Sequence, residues 1–75
     1  MQRYFFDFVD RTCREFDYRG RDLPSAEKAL RLAELIALDA SSRGEHIGWR
    51  VSVSDAAGKN YFSVEVVEHP ELVAA

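Results

Sequence analysis

The segment Trp49 to Val66, WRVSVSDAAGKNYFSVEV, alternates apolar and polar residues on both sides of Asp55-Ala56-Ala57-Gly58. Alternation marks a strand with one buried face, and two such runs about a turn make a hairpin. Asp at the first turn position and Gly at the last suit a type I turn closed by a glycine bulge. Pairing Ser54 with Lys59 sets Val51 opposite Phe62, Trp49 opposite Val64 and Ile47 opposite Val66, gathering the large apolar residues on one face. A one-residue slip would turn that set to the other face. The second face then carries Arg50, Ser52, Tyr61, Ser63 and Glu65, with Arg50 diagonal to Glu65 and able to pair with it.

A helix precedes this hairpin. In RGRDLPSAEKAL, Gly20 marks a turn and Ser25 is placed to cap a helix running from about Ala26 to Ser41 or Ser42, with Gly44 as the stop. At 3.6 residues per turn, Ala26, Ala29, Leu30, Leu32, Ala33, Ile36, Ala37 and Ala40 share one wide apolar face. Its alanines allow close approach to a sheet, and the expected seat is Phe6, Trp49 and Val64. Leu35 and Leu38 stand outside this face, among charged residues.

Gln2 to Val9 reads as a first strand, with Tyr4, Phe6 and Phe8 on one face and Phe5, Asp7 and Val9 on the other. After a turn at DRT, Arg14 to Tyr18 returns as a shorter strand with Phe16 as its main apolar contact. The order is ββαββ: one α+β domain spanning residues 1–75, with a four-stranded antiparallel sheet in the order 2-1-3-4 and one helix on one face. The tail from about residue 68 frays or forms a helical turn begun at Pro70.

The 75 residues, 47% hydrophobic and 31% charged, make a globular composition with a thin core. A net charge of −3 disfavours partners held by bulk electrostatics, such as duplex nucleic acid or an anionic membrane. No apolar run is long enough for a membrane-spanning helix, and the N-terminus lacks the pattern of a signal peptide. The lone Cys13 allows no intrachain disulfide and suits a reducing compartment, so the expected location is the cytosol.

Chemistry-bearing patterns are sparse. Cys13, His46 and His69 are the candidate metal ligands, but no two stand at zinc-site spacing; a buried thiol and two solvent histidines are the plainer account. No serine lies in a nucleophile elbow, and no glycine-rich phosphate loop is present. Asp7, the one acid inside a strongly apolar strand, shares a face with Arg50 if the first strand neighbours the third, and an ion pair explains both. Neither catalytic nor cofactor-binding residues are expected, and no metal.

RYFFD (Arg3 to Asp7), GRDLPS (Gly20 to Ser25) leading into the alanine-rich helix with Asp17 before it, and WRVSVSDAAGKNYFSV (Trp49 to Val64) occur in that order. In this the chain resembles a family of small bacterial proteins, mostly alphaproteobacterial, defined as domain of unknown function 6894. It departs at the first turn, where the family has a glycine after the aspartate and Arg11 here follows Asp10. The resemblance implies no activity, cofactor or catalytic residue.

The favoured expectation is a non-enzymatic protein-binding module that self-associates as a homodimer. Phe5, Tyr61 and Val67 on the sheet face the helix leaves open form one candidate interface, and Leu35 and Leu38 on the helix form another. The alternative is a nucleic-acid binder stacking bases on Phe5 and Tyr61 of that open face. An enzyme of unknown type comes third.

Overall fold

The computed structural model describes residues 1–68. Helix α1 runs from Ala26 to Ser42. Extended backbone at Ser25 (φ −159°) lets its Oγ accept the Lys28 N–H at 3.2 Å, satisfying one of the donors a helix start leaves open. Arg43 caps the other end, and Gly44 at φ +71° turns the chain away. Ala29, Ala33, Ala37 and Ala40 are buried against the sheet residues Tyr4, Phe6, Val51 and Val53. The largest fully buried side chains are only valines, Val51, Val53 and Val66, so the core is thin.

Trp49 does not join the helix seat as expected. The turn from His46 to Trp49, closed by the Trp49 N–H on the His46 carbonyl, ends before the strand begins at Arg50. The indole packs edge-on against His46 instead, with ring centroids 4.9 Å apart. Ile47, expected on the buried face, lies in the same turn and is exposed.

The molecule is α+β, with one antiparallel sheet and one helix, but the sheet has five strands rather than four. They are β1 (Gln2–Val9), β2 (Arg14–Glu15), β3 (Arg21–Leu23), β4 (Arg50–Asp55) and β5 (Asn60–Glu65). The order is β2-β1-β4-β5, with β3 also paired to β1, so the chain reads βββαββ rather than ββαββ. Of the expected strand from Arg14 to Tyr18 only Arg14–Glu15 forms, and an unforeseen strand, β3, pairs with the other end of the same edge of β1: Phe8 stands opposite Glu15, and Tyr4 opposite Arg21. Between them Phe5 to Asp7 face the longer run Phe16 to Gly20, which bulges outward. Phe16 falls on this bulge and is exposed, not an inward contact.

Side chains close the gap. Asp17 Oδ2 accepts the Phe6 N–H at 3.1 Å, the ladder bond that the bulge leaves open, and its Oδ1 accepts the N–H groups of Arg19 and Gly20. In return the Asp17 N–H donates to Asp7 Oδ1 at 2.9 Å. Gly20 (φ +71°) is pressed onto β1: a Cβ there would stand 2.8 Å from the Tyr4 carbonyl oxygen and 2.9 Å from the Phe5 ring. Both left-handed backbone and close approach require glycine.

The β4–β5 turn forms as expected. Gly58 sits at φ +89° and its N–H reaches the Asp55 carbonyl. The register differs, because the turn closes Asp55 on Lys59 rather than Ser54, and a bulge at Val53/Ser54 takes up one more residue on β5. Val51 therefore meets Val64 and Val53 meets Phe62. Two residues is an even shift, so these apolar residues keep the expected face.

Two outcomes follow for stability. Gly44 has the same φ as Gly20 but an added Cβ there meets nothing within 4 Å. Gly20→Ala should therefore melt lower than Gly44→Ala, by about 1 to 3 kcal/mol in free energy, the cost of overpacking beyond the shared backbone strain; equal losses would refute the close approach. Burial alone raises the Asp17 carboxyl, but the N–H groups of Gly20, Phe6 and Arg19 and the Arg21 charge outweigh it and hold the group below its ordinary value. Asp22, bonded by the Arg3 side chain, and Asp55, bonded first by the Lys59 N–H, are lowered too. Stability from such groups is complete above the unfolded carboxylate range near about 4 and is lost as pH falls through the folded values. Asp17→Ala should cost about 1 to 3 kcal/mol at neutral pH by leaving backbone donors open, and should shrink the loss seen on acidification. Thermal melts at neutral pH and near about pH 3 check both; an unchanged acid loss in the variant would count against Asp17.

Candidate functional site

On a helix that advances 100° per residue, Leu35 points away from the rows of Ala29, Ala33 and Ala37. It is 62% exposed, and Leu38 beside it is 45% exposed. A shallow depression along the helix is lined by these two leucines with Glu27, Lys28, Arg31 and Glu34. Asp39 borders the leucines on the C-terminal side, held by Arg43 one turn on at 2.7 Å. Among the described residues Lys28 and Arg31 join no ion pair. The result is a small apolar patch bordered by both signs of charge, Glu27, Lys28, Arg31 and Glu34 on one side and the Asp39–Arg43 pair on the other.

The opposite side of the molecule is less open than the sequence implies. Phe5 is half-buried, with Gly20 of the bulge closing over its ring. Asp7 is buried and pairs with Arg14 at 3.0 Å, not with Arg50; both arginines stand opposite Val9, Arg14 on β2 at one side of β1 and Arg50 on β4 at the other, and the carboxylate is taken from the β2 side. Arg50 stands directly opposite Glu65 rather than diagonal to it, and among the described residues no ion pair joins them. Ser52 is buried and accepts a hydrogen bond from Asn60 Nδ2.

The β5 bulge turns Tyr61 out of the open face. Its ring meets Tyr4 edge-on at 5.5 Å and packs against the core, while its hydroxyl donates to Asp55 Oδ2. Val67 remains exposed, and its carbonyl accepts the Ser41 hydroxyl, which ties this end of the chain to α1. Phe5, Tyr61 and Val67 are thus not assembled into one patch, and the stacking pair of Phe5 with Tyr61 is not formed. The exposed aromatics on the bulge are Phe16 and Tyr18, with ring centroids 6.1 Å apart and the Arg14 guanidinium over Phe16. Sequence reading missed them because it placed Phe16 in a regular strand.

His46 is not a solvent histidine. Its ring stacks on Phe8 at 4.0 Å, Nε2 lies 3.0 Å from Glu15 Oε1, and Nδ1 is buried without a partner. It also adopts positive φ (58°), in the short turn that leads to Trp49. Cys13, expected buried, is exposed on the β1–β2 turn. His69 and the expected turn at Pro70 lie outside the described residues. Among the described residues no three His, Cys, Asp or Glu side chains are grouped to hold a metal ion, and no helix is long and apolar enough to cross a membrane.

No curated protein and no solved structure matches the chain. Residues 3–67 match the domain of unknown function DUF6894, a span that reaches from β1 through the bulge and helix to the residue beyond Val66. This protein is a member of the DUF6894 family.

Proposed function

We propose that the protein is a non-enzymatic interaction module that acts in the cytosol by presenting a surface, and that it associates with copies of itself. The observation that carries this reading is the pair of leucines on the solvent face of α1. A large apolar side chain contributes roughly 1.5 to 3 kcal/mol when fully buried. For a domain this small, whose core supplies only about 3 to 5 kcal/mol, covering both leucines is a large gain. The bulge already occupies much of the other sheet face, and Asp7 there is satisfied by Arg14 and the Asp17 N–H. Leu35 and Leu38 are the exposed apolar surface of the helix, beside the exposed aromatic pair Phe16 and Tyr18 on the bulge.

Light scattering coupled to size exclusion, at high micromolar concentration, is expected to give twice the chain mass of 8.6 kDa. Leu35→Glu is expected to return the protein to the single-chain mass without loss of helical signal, whereas Phe5→Glu should leave the assembly intact if it folds. A wild-type mass of one chain would contradict self-association. Titration with single-stranded oligonucleotides should show no binding; binding that weakens as salt rises would favour a nucleic-acid module instead.

A further inference from the structure

We propose that the groove between α1 and the bulged edge of β1 binds a small hydrophobic carboxylate, its apolar body on Phe8, Leu32 and Ile36 and its head group on Arg19 and Arg21. The site is separate from Leu38 and the outer face of the helix, and it does not depend on self-association.

The groove follows from the break in the edge of the sheet. Leu32 and Ile36, four residues apart, form a row beside the buried row of Ala29, Ala33 and Ala37. Both are only half-buried, as is Phe8, which lies with Phe6 on the helix side of β1. A regular strand along that edge would set alternate side chains beside Phe6 and cover this flank. Instead β2 stops at Glu15 and β3 starts at Arg21; between them Phe16 and Tyr18 stand out in solvent, and Gly20 has no side chain to offer. The depression that remains has a volume of about 360 Å³, floored by Phe6, Phe8, Leu32 and Ile36 and rimmed by Arg19, Gly20 and Arg21. That size suits a small ligand, since such pockets run from about 300 to 1,000 Å³. Past Phe8 and Ile36 the same floor continues toward Ala40 and His46.

Charge chooses the head group and the end at which it sits. Asp17 also lines the depression, but its carboxylate is taken up by the backbone: Oδ2 accepts the Phe6 N–H, and Oδ1 accepts those of Arg19 and Gly20. Arg19 and Arg21 are exposed and join no ion pair among the described residues, so two guanidinium groups against one carboxylate leave this end positive. The end near His46 holds Glu45 and the Asp39–Arg43 pair, and His46 itself faces Glu15. A monoanion therefore puts its head at the Arg19 end, where a guanidinium fork matches both oxygens of a carboxylate. Its apolar body runs toward Phe8 and Ile36 and covers surface that water otherwise wets.

Octanoate, octanol and octylammonium carry one apolar body under three head groups, and NMR titration of the wild-type protein with each tests the site. Octanoate is expected to shift the Leu32 and Ile36 methyl signals saturably and to bind about tenfold tighter than octanol, with octylammonium weakest. Arg19→Gln and Arg21→Gln change exposed side chains, and each should weaken octanoate about three- to tenfold while leaving octanol unchanged. Equal binding of octanoate and octanol, an octanoate affinity that neither variant alters, shifts centred on Leu38 instead of Leu32, or no saturable shift overturns the proposal. Should a variant lose its fold, the order of the three head groups on the wild type still decides.

Discussion

A single carboxylate, that of Asp17, holds together the edge on which the sheet depends. β1 is an inner strand, with β4 on one side and the two short strands β2 and β3 on the other. Those short strands reach only the ends of β1, and the N–H of Phe6 between them is taken by Asp17. A buried donor left open there costs as much as a lost hydrogen bond, within a fold whose total stability is small. The reciprocal bond, from the Asp17 N–H to Asp7, explains why an acid stands inside an otherwise aromatic strand. Arg14 then balances the Asp7 charge. The chain that leaves this cluster through Gly20 is aligned to form β3 and to enter α1 at Ser25.

The two sides of the molecule differ in what they leave exposed as a consequence. The bulge lies over Phe5 and Asp7, so the sheet face away from the helix is partly closed by the chain itself. Ser52 is closed in turn by Asn60. The helix meets the sheet through alanines flanked by Leu32 and Ile36, and Leu35 and Leu38 are the large apolar residues of α1 that stand exposed on its outer face.

Much of this was legible in the residue order because it is local or periodic. Ser25 and Gly44 bound the helix through contacts within one turn, and the alanine spacing names its buried face. Asp55 and Gly58 specify their turn, and alternation assigns the faces of β4 and β5 even though the register moves by two residues. Asp17 was not legible, because its partner Phe6 lies eleven residues earlier and no repeat connects them. Tyr61 was assigned to the wrong face because a bulge adds one residue without a glycine to mark it. Asp7 was paired with Arg50 by strand adjacency, but Arg14 on β2, adjacent to β1 on its other side, takes the carboxylate. His46 looked exposed beside two glycines, yet the turn it occupies folds its ring back over Phe8.

Hydrogen exchange at the Phe6 amide tests most directly whether the Asp17 carboxylate closes this edge. In the wild type that amide should exchange as slowly as those of Phe5 and Asp7, which alternate toward β4. In Asp17→Ala the Phe6 amide should exchange far faster while Phe5 and Asp7 keep their protection. A Phe6 amide that exchanges freely in the wild type, or stays protected once the carboxylate is gone, would contradict the account.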